Sequence, residues 1–119
     1  MAATFENYLK DDIGTSTHFM FDNGSYSNGI TGLDSGKNVI VVGIMVCNVK
    51  SPAQSVTVTV HVTTNGTTNY ALVKDLSIPA GDSVEVVQGK IVLQSGQDIG
   101  VTASTAAGVD CVVSILKNA

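Results

Sequence analysis

The chain has 119 residues and a formal net charge of −4, and 44% of its residues are hydrophobic. This length fits a single domain with one core, and the apolar fraction excludes a disordered chain. Every basic residue is a lysine. The chain therefore lacks the basic stripe and the arginine contacts that nucleic-acid binders use, and we expect no nucleic-acid partner.

The first 37 residues differ from the rest because they contain clustered turn signals and only short apolar pieces. Short strands are predicted near 4–8 and 15–21, and a loop is predicted over 22–37. The N-terminus has neither a basic region nor an apolar stretch, so no signal peptide is predicted. We interpret 1–37 as an N-terminal arm and loop, and 38–119 as the core of the same domain.

From residue 38 onward, short apolar runs are separated by turn signals, and no stretch of eleven residues has a helical period. Asn65 and Gly66 predict a tight hairpin. The pattern predicts an all-β domain, a single antiparallel β-sandwich that is jelly-roll-like or barrel-like. Its strands are expected near 38–48, 55–63, 69–74, 83–87, 90–94, 98–104 and 109–117.

The run 39–47 is apolar on both faces of its predicted strand, and the strand 109–117 is partly so. The run is too short to cross a membrane, and we expect no membrane partner. A strand that is apolar on both sides must be covered on both sides, by the core and by either the arm or a neighbouring subunit. We therefore expect a homo-oligomer. The interface candidates are Phe5, Tyr8, Phe19, Phe21, Ile40, Val42, Ile44, Val46, Val112 and Leu116.

No arrangement of residues predicts catalysis or a cofactor. His61 should face away from the core with its neighbouring threonines, and His18 has no motif around it, so both are interpreted as surface or interface histidines. The histidines and cysteines lack the short spacings of zinc sites, and no calcium loop occurs. A glycine-rich stretch near Lys37 lacks two residues of the phosphate-loop pattern. We expect no enzymatic activity, no metal and no cofactor.

Cys47 and Cys111 each lie in an apolar, strand-like run. Two interpretations are open. They are either small buried hydrophobic residues in a reducing compartment, or one disulfide that joins two strands. The disulfide requires the two Cα atoms to lie within about 7 Å of each other.

Four segments of the C-terminal half follow one another in a recognisable order of motifs: IPAG at 78–81, GKIVL at 89–93, SGQDIGV at 95–101 and VDCVVSIL at 109–116. With looser agreement earlier in the chain, the sequence resembles small virion proteins of tailed bacteriophages. The resemblance implies a β-sandwich that decorates or cements a capsid, usually as a trimer, and binds the major capsid protein or other virion proteins. It implies a place in the virion after assembly in the host cytoplasm, and it brings no catalytic residues.

Two alternative functions remain open. A neck, tail or fibre component would have the same fold and different contacts. A carbohydrate-binding attachment module would need an aromatic platform or a calcium site. Aromatic residues make up only 5% of the chain, and the plausible ones, Phe21, Tyr26 and Tyr70, are scattered along it.

Overall fold

The computed structural model describes residues 2–22, 24, 28–65 and 67–119. Within these ranges the chain forms β-strands and no helix, and so contains no helix long and apolar enough to cross a membrane. The strands are β1 (Thr4–Ile13), β2 (His18–Phe19), β3 (Val39–Asn48), β4 (Val56–Thr64), β5 (Thr68–Ile78), β6 (Ser83–Glu85), β7 (Ile91–Leu93), β8 (Gln97–Ala103) and β9 (Val109–Lys117).

The strands form two antiparallel sheets that pack face to face. Sheet A has the order β1-β9-β3-β6, and β7 also pairs with β3, whereas sheet B has the order β2-β8-β4-β5. Every connection passes from one sheet to the other except the β4–β5 hairpin and the β6–β7 link. If β6 and β7 are counted as two halves of one strand, this is the jelly-roll arrangement. The predicted all-β sandwich is confirmed, and its form is the jelly roll.

The core lies between the sheets and consists mainly of valine and isoleucine, whose β-branched side chains suit a pleated surface. The alternation in β4 places Val56, Val58 and Val60 in this core, each at most 1% exposed. Their partners on β8 include Ala103 and Val101, which are also buried. The strict alternation of this run predicts that Val56, Val58, Val60 and Val62 face the core; the first three are confirmed there, and Val62 is half-buried against it.

The first 37 residues contribute a strand to each sheet. β1 pairs with β9 from Thr4 to Ile13, and β2 pairs with β8. Beyond β2, the N–H of Met20 donates to the carbonyl of Ile99 and the N–H of Ile30 donates to the carbonyl of Gln97, both at 2.9 Å. The segment interpreted as an arm is thus integral to the sandwich, because both of its strands pair within the same chain.

A bulge interrupts β3 at Val42. The register along β9 shifts between Val41 and Gly43, so two residues of β3 stand opposite a single residue of β9. The N–H of Ile44 donates to Oε1 of Glu85 at 2.8 Å. This hydrogen bond gives the Ile44 N–H a partner beside the bulge, where the regular pairing of β3 is interrupted. It therefore stabilises the bulge.

The bulge reverses the alternation of β3 and corrects the predicted interface. Ile44 and Val46 are both 0% exposed and lie in the core, so their prediction as interface residues is wrong. A single inserted residue moves every later side chain to the other face of a strand. Ile40 and Val42 stay on the outer face, and Met45 replaces the two corrected residues there.

The two cysteines are free and lie on opposite faces of sheet A. Cys111 pairs with Val46 and is buried in the core, whereas Cys47 pairs with Asp110 on the outer face. Side chains on opposite faces of a sheet cannot form a disulfide with each other. The structure therefore favours the interpretation without a bond, and Cys111 is a small buried hydrophobic residue.

We expect Cys111 to resist alkylation by iodoacetamide until the chain unfolds, while Cys47 reacts in the folded state. Burial raises the pKa of the Cys111 thiol to about 12, so very little of it is the reactive thiolate. Peptide mass spectrometry after native and denatured labelling measures both sites. A peptide containing a Cys47–Cys111 disulfide would contradict this expectation.

A candidate protein-docking face

The outer face of sheet A, turned away from the core, carries two rows of apolar side chains that run across the strands. Between them lies a row of small or polar residues, Asn7, Ser114 and Gly43. We call this surface the sheet A face. Its first apolar row is Phe5, Leu116, Ile40 and Val92, and its second is Leu9, Val112 and Met45.

The apolar rows are accessible to solvent. Phe5 is 79% exposed, Leu9 66% and Val92 57%. Met45 and Val112 are each 40% exposed. With side chains of about 150–200 Å², these fractions amount to roughly 500 Å² of exposed apolar surface, within the range of about 300–600 Å² for the largest patch on a monomer. Patches of this size are often functional.

The sheet A face is shallow and has no deep cleft among the described residues. Two depressions of about 340 and 360 Å³ lie along the seam between β1 and β9. A small-molecule site would enclose most of its ligand, whereas these depressions lie on an extended sheet. Their lining residues are Leu9, Lys10, Asp11, Asp110, Cys111 and Val112 in one, and Phe5, Glu6, Asn7, Ser114 and Ile115 in the other.

Charge is separated along the strands of sheet A. At one end, the N–H of Asp12 donates to Oδ1 of Asp110 at 3.0 Å, and Nζ of Lys10 lies 3.8 Å from Oδ1 of Asp11. Carboxylates outnumber lysines at this end, whereas the numbers are equal at the other. The charged residues are Asp11, Asp12, Asp110 and Lys10 at the first end, and Lys37, Lys117, Asp34 and Glu6 at the second.

Five predicted interface residues lie on the sheet A face: Phe5, Ile40, Val42, Val112 and Leu116. The prediction missed Leu9, Met45 and Val92. Leu9 could have been predicted from the sequence, because residues four apart on a strand face the same side and Phe5 was already an interface candidate. Met45 depends on the bulge, and Val92 depends on the pairing of β7 with β3.

The remaining predicted aromatics lie elsewhere. Tyr8 and Phe21 pack edge to face with ring centroids 4.8 Å apart, and both are half-buried against the core. Phe19 contacts His61 on sheet B, with centroids 6.2 Å apart. For the carbohydrate alternative, Tyr26 lies outside the described residues. Phe21 is engaged with Tyr8, which leaves Tyr70 as the exposed aromatic among the described candidates.

A polar cluster lies on the outer face of sheet B, next to Phe19 and Phe21. His61 is on this face as predicted, but it is covered and only 7% exposed. Thr63 and Asp98 stand opposite each other on β4 and β8, and both are at most 1% exposed. Oδ1 of Asp98 accepts the N–H of Phe21 at 3.0 Å. His61 was predicted as a surface or interface histidine; it is not at the surface of this chain, because its ring is covered and contacts Phe19 of β2.

Three polar atoms of this cluster are buried. His61 Nδ1, Thr63 Oγ1 and Asp98 Oδ2 have no hydrogen-bond partner among the described residues. Within the described ranges, no three histidine, cysteine or acidic side chains come together as metal ligands would. Burial lowers the pKa of His61, and burial raises the pKa of Asp98 to about 6. His61 and Asp98 are therefore titratable side chains that are packed inside the folded chain.

Asp98→Asn is expected to remove a pH dependence of stability. A raised folded-state pKa means that the folded chain binds the Asp98 proton more tightly than the unfolded chain does. The contribution of Asp98 is therefore most favourable below about pH 4 and is lost as the pH rises through about 6. The unfolding free energy of the wild type minus that of the variant should fall by about 2–3 kcal/mol across this window, since one pKa unit corresponds to about 1.4 kcal/mol.

Urea unfolding at a series of pH values measures this difference. His18 and His61, whose pKa values are lowered mainly by burial, are present in both proteins, so their contributions largely cancel. The matched control is Asp11→Asn, at a side chain 79% exposed, which should keep the wild-type dependence. An Asp98→Asn protein with the same pH dependence as the wild type would contradict the expectation.

No protein-family model and no curated protein sequence matches the chain. Among solved structures, it aligns with a chain of infectious bursal disease virus, Gx strain, at a TM-score of 0.50 and 12% identity. That alignment covers 96% of this chain and 32% of the viral chain, about a third of its length. A chain of the disulfide-linked pili of Bacillus endospore appendages aligns at a TM-score of 0.47 and 12% identity, over 98% of this chain and 89% of the other. At these identities the viral alignment shows a shared fold.

Proposed function

We propose that the chain is a structural virion protein of the capsid cement type found in tailed bacteriophages, and that it buries the sheet A face in the assembled particle. The observation that carries the proposal is this exposed face, whose two apolar rows lie on a shallow surface. Such a surface suits contact with protein. The proposed location is the virion, after assembly in the host cytoplasm.

Two further observations support a structural role. The jelly roll is a fold used by viral capsid domains, and it is shared here with a chain of infectious bursal disease virus. That likeness supports the proposal at the level of the fold. The proposed phage assignment rests on the four sequence motifs between residues 78 and 116. The major capsid protein is the proposed partner.

The proposed mechanism is stabilisation by mass action. A protein that binds the assembled shell and not its separate subunits shifts the equilibrium towards the shell, by an amount that grows with its free concentration relative to its dissociation constant. Many weak contacts on one particle reinforce each other through multivalency. Individual contacts with the shell can then be modest while the assembled particle gains substantial resistance to heat.

A neck, tail or fibre position is the second candidate, because the same face would serve contact with a tube or connector. The number of copies per particle separates the two positions. A copy number comparable to that of the shell protein indicates decoration, and a single ring of copies indicates a neck or tail.

The direct test uses particles from cells in which the coding sequence has been disrupted. Purified chain is added back, and the temperature at which the packaged nucleic acid becomes accessible to nuclease is measured. The proposal predicts a higher temperature with the chain than without it, and no effect from heat-unfolded chain. Particles that neither bind the folded chain nor change their release temperature would refute a cement function.

A further inference from the structure

Strand β1 forms one edge of sheet A, and its pairing with β9 is regular from Thr4 to Lys10. The other described edges are short or irregular. In sheet A, β6 and β7 have three residues each. In sheet B, β2 has two residues, and the pairing of β5 with β4 shifts twice. Short edge strands and bulges prevent pairing with another chain, and the regular part of β1 has neither.

The hydrogen bonds of β3 show which backbone groups of β1 are directed to its open edge. The N–H of Ile44 donates to Oε1 of Glu85, and the carbonyl of Ile44 accepts the N–H of Val86, both at 2.8 Å. Both groups of Ile44 therefore point away from β9. In an antiparallel pair the two residues bond to each other or both point away, so Val113, opposite Ile44, points towards β1. Tyr8, opposite Val113, therefore bonds to β9.

The open edge of β1 carries the backbone groups of every second residue. Successive residues of a strand direct these groups to opposite sides, and Tyr8 bonds to β9. Phe5, Asn7 and Leu9 therefore present their N–H and carbonyl groups at the open edge. Among the described residues, no strand pairs with this edge. Such a row of donors and acceptors is a template for an added strand.

We propose that the open edge of β1 pairs with the same edge of a second copy, in antiparallel orientation about a two-fold axis at Asn7. The regular segment Thr4–Lys10 is centred on Asn7, so this register uses all of it. Phe5 of each copy lies opposite Leu9 of the other, and the two Asn7 residues lie opposite each other. These three pairs form about six backbone hydrogen bonds, towards the lower end of the usual number for a specific interface.

The apolar side chains of β1 favour this register. Phe5 and Leu9 are 79% and 66% exposed, more than any other large hydrophobic side chain of the described residues. Their strand has a neighbour on one side only, which leaves their other side open. The added strand places Leu9 of one copy beside Phe5 of the other, twice, and apolar cross-strand pairs of this kind stabilise a sheet.

The charges of β1 favour a second copy over an uncharged strand. A lysine on an edge strand opposes pairing, unless the added strand supplies a carboxylate. In the proposed register, Glu6 lies opposite Tyr8 of the other copy and Lys10 lies opposite Thr4, so no like charges are directly opposed. Diagonally, Glu6 of each copy is within reach of Lys10 of the other. These two attractive contacts outnumber the single diagonal contact between the two Glu6 residues.

The pairing joins the two copies of sheet A into one continuous sheet. Antiparallel neighbours in a sheet are related by an axis perpendicular to it, so both sheet A faces lie on the same side and remain exposed. The contact is isologous and gives a dimer, rather than the trimer that the sequence resemblance implies. Two linked faces also strengthen binding to a partner that both can reach at once.

Sedimentation equilibrium from low micromolar to millimolar chain concentration is the first test. The mass of the wild type should rise towards twice the chain mass of 12.3 kDa. Asn7→Pro removes the N–H that points to the open edge and leaves the bonds to β9 in place. We expect it to raise the dissociation constant at least about tenfold. The matched control, Asn7→Thr, keeps this N–H and should dimerise like the wild type. Circular dichroism confirms that both variants are folded.

Cross-linking tests the geometry in a Cys47→Ser background, which removes the partly exposed thiol. Asn7→Cys should form a disulfide-linked dimer on mild oxidation, because the two Cα atoms at the axis lie about 5.5 Å apart. The matched control, Ser114→Cys, lies opposite Asn7 on β9. It should not cross-link, because its two copies are three strand spacings apart, roughly 14 Å.

Three results would overturn the inference: a wild type that stays monomeric at every concentration or forms a trimer, an Asn7→Pro protein that dimerises like the wild type, or cross-linking of Ser114→Cys in preference to Asn7→Cys. The structural function fails separately. A monomer that still binds particles would remove the edge pairing alone, and a dimer that never associates with particles would remove the structural function alone.

Discussion

Ile44→Ala is expected to lower the free energy of unfolding by about 3–4 kcal/mol, because it removes a fully buried side chain and leaves a cavity in a close-packed core. Ile44 is 0% exposed and lies just beyond the bulge, in the row of β3 that faces sheet B. Urea unfolding followed by circular dichroism measures the change.

The control for Ile44→Ala is Val42→Ala in the same strand. A strict alternation would place Val42 and Ile44 on one face, whereas the structure leaves Val42 41% exposed. We expect the control to cost less than about 0.5 kcal/mol, as is usual for exposed positions. Similar losses at both positions would mean that β3 has no bulge and that the sheet A face is wrongly assigned.

Gly100→Ala is expected to cost about 2–3 kcal/mol, because the added methyl group has no room. A Cβ at this position would lie 2.7 Å from Nε2 of His61. The ring cannot easily move away, since His61 is only 7% exposed and contacts Phe19. The clash therefore disturbs the contact between His61 and Phe19 of β2 as well as strand β8 itself.

A double-mutant cycle separates this clash from other effects of the methyl group. His61→Ala removes the ring, so Gly100→Ala should cost much less in that background, with a coupling energy above about 1 kcal/mol. Thermal or urea unfolding of the four proteins measures the coupling. Additive losses would show that the His61 ring does not lie over Gly100.

The sandwich was predictable because most of its strands have a local signal in the sequence. The alternation of Val56, Val58 and Val60 and the turn around Asn65 specify their strands within a few residues. The bulge at Val42 was not predictable in this way. It depends on Glu85, whose bond to the N–H of Ile44 joins residues 41 apart in the chain.

The candidate site was predictable only in part for the same reason. Phe5, Val112 and Leu116 were found because their own strands are apolar at those positions. The burial of His61 and Asp98 depends on contacts with Phe19 and Phe21, which are remote from both in the sequence. Such cover is a tertiary effect that no local pattern encodes.

The amount of this chain in gradient-purified particles tests the central claim most directly. Quantitative peptide mass spectrometry gives its ratio to the major shell protein through successive density gradients. A structural role in the particle predicts a ratio that stays constant from one gradient to the next. A ratio that falls towards zero, with the chain recovered among soluble proteins at the top of each gradient, would contradict the account.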